Sequence, residues 1–459
     1  MCTNKLSFKV LLLGLICIIM FSFHLWMAYP GLMNISDTSN SLVLSKSGWQ
    51  PISVSLQLEF LYYLFGPHAY FLLLMNLVPF YLGLFIITFA LLKKYNSWIC
   101  FLALCPAFIS NLFFGNFILT TRYSSAMYIW LYYALVFYWV MTYRTTGKRR
   151  YGLNFILVIT YVLATLSRHN AFIQTLPTCL IFASILSTMY HSKKTFYLFG
   201  TGATVFTLIL LLLCRGPIRP YYHILCHQII GMHVNETTSL PPSLRHGHQW
   251  TELKTFYEKG RQLADGCPVY DYTLTEYLNA LIHHPLGYLK TIHIFLRGNL
   301  KLKPVIMPVQ SLQRRFLDLT FNYQQQSDDT FQIYNMMDIG ELQITYTPIQ
   351  EKIYRALERI LPQISTFIFI YFNFLIAFIS AFYFFKKQRN SLLFFTFYIA
   401  MGGVGGYIIY SVFSPTLIYG YMHPLLISCL ISVIGMICYL YEAKWQHIET
   451  YSKSAEQPT

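Results

Sequence analysis

Long apolar runs constrain this chain more than any other feature. About ten stretches approach or exceed the roughly 20 apolar residues that cross a hydrocarbon core. They are 8–28, 69–92, 97–114, 124–143, 151–167, 171–190, 195–214, 362–385, 391–412 and 422–441. Backbone that enters lipid must pair its own N–H and C=O groups, so runs of this length are expected as helices. The expected fold class is an all-α polytopic membrane protein of about ten transmembrane helices. Composition bears on this at one point: 11% of the 459 residues are charged, against about 25% in a soluble domain. The net charge of +15 does not point to nucleic acid, because no binding motif accompanies it. The bases sit in short clusters between apolar runs, which suits topology and anionic lipid headgroups.

Those clusters give an orientation. Lys5 and Lys9, Lys93 and Lys94, Arg144 with Lys148 to Arg150, Lys193 and Lys194, Lys386 with Lys387 and Arg389, and Lys444 fall on the same side of successive spans. The opposite short loops carry only Lys46, Arg122 and Arg168. Basic residues accumulate in cytoplasmic loops, so both termini are expected inside. The first run is long and lacks a small-x-small cleavage site, and reads as an uncleaved span. The chain then divides into a membrane module at 1–214, an extracytoplasmic helical segment at 215–361, a second membrane module at 362–441 and a polar, frayed tail at 442–459.

In the outer segment, Thr273 and Glu276 have capping-box spacing, and Pro285 opens a helix whose Leu286, Leu289, Ile292 and Leu296 share one face. Val305–Phe321 and Pro348–Ile360 read as further helices. The first outer loop, 29–68, carries an interfacial amphipathic helix from Gln50 to Phe65. It also holds Asp37 and Glu59, the only acids among the first 219 residues. An isolated carboxylate beside a span exit is a functional-site candidate; its second reading is a solvated loop acid.

Several polar residues map to the same depth as Asp37: Lys46, Trp49 and Gln50 in the first outer loop, Arg122 before span four, Arg168, His169 and Asn170 in the tight turn between spans five and six, and Tyr419, Tyr421 and His423 before span ten. One carboxylate facing several cations and aromatics suits a reaction between a phosphate-bearing lipid and a neutral hydroxyl. The cations hold the phosphate, the carboxylate takes a proton, and the aromatics stack on sugar rings. Each residue has a plainer reading. Arg122 can snorkel, His169 and Asn170 can close a turn, and the tyrosines can belong to an aromatic belt. His246 and His248 lack a third metal ligand in sequence, and no metal or other cofactor is expected. Sequons stand at Asn34 and Asn235. Cys226 and Cys267, both in the exported segment, are a candidate disulfide pair.

Tyr29-Pro30-Gly31, Asp37 and Gly48-Trp49-Gln50-Pro51 resemble the first outer loop of bacterial membrane glycosyltransferases of the GT-C type. Ser167-Arg168-His169-Asn170-Ala171 resembles their turn between two spans. His284-Pro285-Leu286-Gly287-Tyr288-Leu289 resembles the start of a helix in their outer segment, and Tyr419-Gly420-Tyr421 the approach to their last span. The layout is also similar to that of phage serotype-converting glucosyltransferases that act on O-antigen. The resemblance implies a polyprenyl-phosphate sugar donor, a glycan or lipid-linked acceptor such as O-antigen, and Asp37 as the base. Where such enzymes often carry an acid before span four, this chain has Thr120-Thr121-Arg122-Tyr123. Arg122 and Arg168 therefore stand as the expected phosphate ligands, with Glu59 as a secondary acid. An O-antigen polymerase or ligase, and a transporter or flippase of lipid-linked sugar, are the alternatives.

Overall fold

In a computed structural model of the chain, the residues described are 2–28, 52–65, 70–106, 121–142, 150–168, 171–213, 221–260, 272–301, 316–317, 341–342, 347–360, 365–386, 390–413 and 423–455. The described elements are α1 (Cys2–Ala28), α2 (Ile52–Phe65), α3 (Tyr70–Tyr95), a 3-10 helix (Trp98–Leu104), α4 (Thr121–Thr142), α5 (Arg150–Leu166), α6 (Phe172–Met189) and α7 (Lys193–Leu213). After these come α8 (Tyr221–Asn235), a second 3-10 turn (Pro242–Leu244), α9 (Trp250–Gly260), α10 (Leu274–His283) and α11 (Pro285–Leu300). The last are β1 (Phe316–Leu317), β2 (Glu341–Leu342), α12 (Pro348–Ile360), α13 (Thr366–Phe385), α14 (Ser391–Phe413) and α15 (His423–Ala455).

Seven helices are long and apolar enough to cross a membrane: Leu6–Ala28, Leu73–Tyr95, Phe172–Met189, Lys193–Leu212, Thr366–Phe385, Ser391–Val412 and Leu425–Ala443. The chain is a multi-pass membrane protein. Ala126–Thr142 and Tyr151–Leu166 are shorter apolar helices, so seven full-length candidates and two shorter ones stand among the described residues. The run expected at 97–114 opens as a 3-10 helix after a Ser97 cap, and its residues from 107 onward lie outside the described residues.

The helices pack around one large core in which Trp130, Tyr132, Tyr133 and Phe137 of α4 are buried among α3, α6, α14 and α15. In lipid, apolar burial does not favour helix association, so close packing and interhelical hydrogen bonds must hold the bundle. Trp130 Nε1 donates to Phe80 O at 3.0 Å, and the Tyr132 and Thr178 hydroxyls pair at 2.6 Å. A second, smaller core belongs to the segment between the membrane modules. There Leu225, Ile229, Ile230, Leu253, Tyr257, Tyr272 and Tyr277 are buried together.

Contacts distant in sequence sort the bundle into two ends. At one end Lys9 Nζ donates to Asn96 O at 2.5 Å and to its Oδ1 at 3.0 Å, Lys94 pairs with Glu442, and Lys93 lies over the Tyr138 ring. The basic clusters at Lys9 and Lys93–Lys94 therefore do gather together. At the other end Gln350 Nε2 and Tyr354 Oη of α12 donate to Trp26 O and Met27 O, the carbonyls that α1 leaves open at its last turn, at 3.0 and 2.8 Å. Tyr128 of α4 donates to Gln57 of α2. Asn299 of α11 donates to Ser411 at 2.9 Å and accepts from Thr366, the first residue of α13.

Local rules set many boundaries. Thr273 and Glu276 form the expected capping box at the start of α10, Pro285 is the first residue of α11, and α12 starts and stops at the expected Pro348 and Ile360. Thr347 and Gln350 make a second reciprocal cap there, with Thr347 N on Gln350 Oε1 at 2.8 Å.

Two expectations need correction, and the face α11 buries is a further finding. A helix through Val305–Phe321 is contradicted where residues are described, because Phe316–Leu317 is a strand pairing antiparallel with Glu341–Leu342. The polar tail expected to fray after Lys444 continues α15 to Ala455. The face that α11 buries carries Gly287, Thr291, Phe295 and Asn299, while Leu286 and Leu289 are exposed. Residues four apart stack on one side of a helix, and small polar side chains let α11 approach α8 where leucines would hold it off.

Candidate functional site

The end of the bundle away from the basic clusters collects buried polar side chains. Arg168 follows α5 and is half-buried, and His423 opens α15 and is buried. The two lie close enough for the Arg168 charge to act on the imidazole. Burial first, and that charge second, push the His423 pKa well below its ordinary value. His423 is thus a neutral imidazole beside a guanidinium, able to offer one N–H without adding charge.

Below this pair a polar seam runs into the bundle. Gln174, in the first turn of α6, is fully buried, and neither its Oε1 nor its Nε2 has a hydrogen-bond partner. Its backbone carbonyl accepts from Tyr133 Oη of α4 at 2.9 Å. The Tyr133 hydroxyl also hydrogen-bonds Ser428 of α15 and lies near Tyr410 of α14. Asn373 of α13 is fully buried. Its Nδ2 donates to Phe369 O at 2.9 Å and Leu425 O at 3.1 Å, and its Oδ1 has no partner.

Glycines of α14 make room for both amides. A Cβ on Gly406 would lie 2.7 Å from Gln174 Nε2, and one on Gly403 would lie 2.9 Å from Asn373 Oδ1. Positions three apart are neighbours on a helix surface, so the two amides meet α14 within one turn. Buried polar groups are nearly always paired, and polar residues inside a bundle mark functional positions by default.

The structure brings Arg168 and His423 together as expected from sequence. Arg122 lies in the first turn of α4 and Glu59 in α2, two helices joined by the Tyr128–Gln57 bond; their side chains lie outside the described residues. Asp37, Trp49, Gln50, His169, Asn170, Tyr419, Tyr421 and Cys267 lie outside the described residues altogether. Cys226 is disulfide-bonded. Asn235, the second sequon asparagine, is engaged: its Nδ2 donates to Thr291 Oγ1 at 2.8 Å and Tyr257 Oη at 3.2 Å. Among the described residues no three His, Cys, Asp or Glu side chains converge as a metal site.

Sequence reasoning missed Gln174, Asn373, Tyr133 and Ser428. A signal was present for two of them, since Gln174 is the lone amide side chain of the apolar run at 171–190, and Asn373 that of Thr366–Phe385. It also missed a clasp in the outer segment. Glu236 Oε2 pairs with His284 Nδ1 at 2.6 Å, and Glu236 Oε1 accepts from Gly287 N at 2.6 Å. The carboxylate thereby satisfies an open N–H in the first turn of α11, where negative charge is favoured. The His233 ring sits 4.1 Å from that of His284. Burial, then the His284 charge, lower the His233 pKa to about 4. The His284 and Gly287 hydrogen bonds hold the Glu236 carboxyl below its usual range.

No family model matches the chain, and no curated protein or solved structure matches it.

Proposed function

We propose that the protein is an integral membrane glycosyltransferase that moves a sugar from a polyprenyl-phosphate donor to a cell-surface glycan of the O-antigen or lipopolysaccharide type. In this reading it sits in a bacterial plasma membrane with both termini cytoplasmic and residues 215–361 outside. Asp37 accepts the proton of an acceptor hydroxyl as that oxygen attacks the anomeric carbon. The bond from the anomeric carbon to the phosphate oxygen breaks, and the polyprenyl phosphate leaves with the bonding electrons. Arg168 and Arg122 hold its charge, and neutral His423 donates a hydrogen bond. Fixed donors of this kind supply about 10²–10³ in rate each. Tyr421, Trp49 and Gln50 are assigned to binding the sugar, and His169 and Asn170, next in sequence to Arg168, to the phosphate.

The observation that carries this reading is the meeting of Arg168 with buried His423 at the end of the bundle away from the basic clusters, beside the buried amides of Gln174 and Asn373. The seam lies inside the bundle, which also favours a second reading, a transporter of lipid-linked sugar. In vitro transfer from polyprenyl-phosphate hexoses decides between them. The transferase reading expects a glycosylated acceptor and released polyprenyl monophosphate. A folded Asp37→Asn variant with full transfer would remove the role given to Asp37. Release of a diphosphate carrier would instead favour a polymerase or ligase.

A further inference from the structure

We infer that the carboxamides of Gln174 and Asn373, set against Gly406 and Gly403 of α14, form a binding subsite for the neutral hydroxyls of a sugar, carried in from the Arg168–His423 end. The inference deepens the transferase reading and takes from it only the kind of molecule tested. Its physical basis is an unbalanced inventory. Gln174 presents two N–H donors and one carbonyl acceptor with no partners, in a side chain of 0% exposure. Asn373, also at 0%, has spent its donors on Phe369 O and Leu425 O and presents only Oδ1.

A ligand there must accept from one amide and donate to two carbonyl oxygens. A phosphate dianion has nothing to donate, and an ammonium group has nothing to accept with. A pair of neighbouring sugar hydroxyls does both, one O–H to each carbonyl oxygen. Leaving such groups unmade is costly, about 1–3 kcal/mol each, and structural rigidity does not require it, since an apolar side chain would fill the same space. Gly406 is part of the device: any Cβ at that position would press on Gln174 Nε2. Gln174 stands six positions after Arg168, in the first turn of α6.

The test uses the full-length protein in nanodiscs and three kinds of probe. These are polyprenyl-phosphate hexoses (glucose, galactose and mannose in turn), bare polyprenyl phosphate, and soluble oligosaccharides of the same sugars. Wild type is expected to bind one sugar-bearing lipid, or one soluble sugar, at least 10-fold better than the sugar-free control. Gln174→Met and Gly406→Ala are expected to abolish that preference while leaving affinity for bare polyprenyl phosphate within about 2-fold. Preference for the lipid-linked form assigns the hydroxyls to the donor, and preference for the soluble form assigns them to the acceptor. Gln174→Met should melt no lower than wild type, because it replaces an unpartnered amide by an apolar near-isostere. A fall in its melting temperature would make the amide a structural strut and overturn the subsite. So would equal binding of all probes by wild type, the outcome expected if only water enters the seam, or a preference that survives in Gln174→Met. Sugar-dependent binding with no transfer would overturn the transferase reading and leave the subsite standing.

Discussion

The two ends of the membrane bundle handle polar groups in opposite ways. At the basic end Lys94 pairs with Glu442, and buried Lys9 donates to the open carbonyl and side chain of Asn96. At the other end Gln174, Asn373 and His423 are buried. The Gln174 amide, Asn373 Oδ1, Asn299 Oδ1 and Gln228 Oε1 all lack hydrogen-bond partners. The difference separates two uses of polarity. Exposed pairs at a span end orient the chain and contribute little stability, commonly 0–1 kcal/mol. Unpaired amides in an apolar interior destabilise the resting protein, and they persist where a ligand completes them.

The comparison breaks most sharply on the proposed chemistry. Arg168→Ala should lower kcat/KM for sugar transfer by about 10²–10³, and Arg168→Lys should recover only part of it, because an ammonium lacks the planar fork that grips phosphate. A transfer assay at saturating acceptor reads both. His423→Gln should cost less, about 10-fold, because it replaces one neutral donor by another. That comparison is sharpened by the pH profile. His423 titrates well below its ordinary value, so its charging should not appear as a limb between pH 6 and 8.

A structural variant comes next. Gly287→Ala should destabilise the outer segment strongly, since its Cβ would sit 2.2 Å from Met232 O, a backbone atom that cannot turn aside. The same clasp predicts acid sensitivity. His233 has a folded pKa of about 4 against an ordinary 6.5, so the unfolded chain takes up protons first as pH falls. Its contribution is complete above about pH 6.5 and is lost between there and 4. The Glu236 carboxyl is lowered, so its contribution is present above its usual range and fades as pH falls through it. Thermal melting at pH 7.5 and 5.0 should therefore show a drop of about 4 °C or more, reduced in His233→Asn. Equal melting at both pH values would contradict this. The smallest effect belongs to the basic end, where Lys94→Ala should change stability by under about 1 kcal/mol and leave transfer within 2-fold.

Much of the scaffold was legible in the sequence because membrane and capping rules act locally. Run length exposed the spans, Thr273–Glu276 and Pro285 marked helix starts, and the positions of Lys9, Lys93 and Lys94 foretold that they share an end. Packing faces were less legible. The leucines of α11 share a stripe, yet the buried face is set by Gly287, Thr291 and Asn299, because close approach to α8 and α14 requires small or bonding side chains. The seam was illegible for the same reason. Apolar periodicity carries little inside–outside contrast where lipid is as apolar as the protein interior, and the meeting of Gln174 with Gly406 depends on how α6 and α14 cross. Asp37, read from sequence as the base, lies outside the described residues, so its role rests on chemistry alone.

The account's central claim, that the chemistry belongs to the Arg168–His423 end, is tested most directly by one side-by-side measurement. Wild type, Arg168→Ala and Lys94→Ala are reconstituted at equal density, and transfer of labelled hexose from polyprenyl phosphate to acceptor glycan is followed in single turnover. The account predicts transfer by wild type and Lys94→Ala at the same rate within 2-fold, and a loss of at least 100-fold in Arg168→Ala. Equal rates for all three, or no transfer by wild type with any hexose, would contradict it.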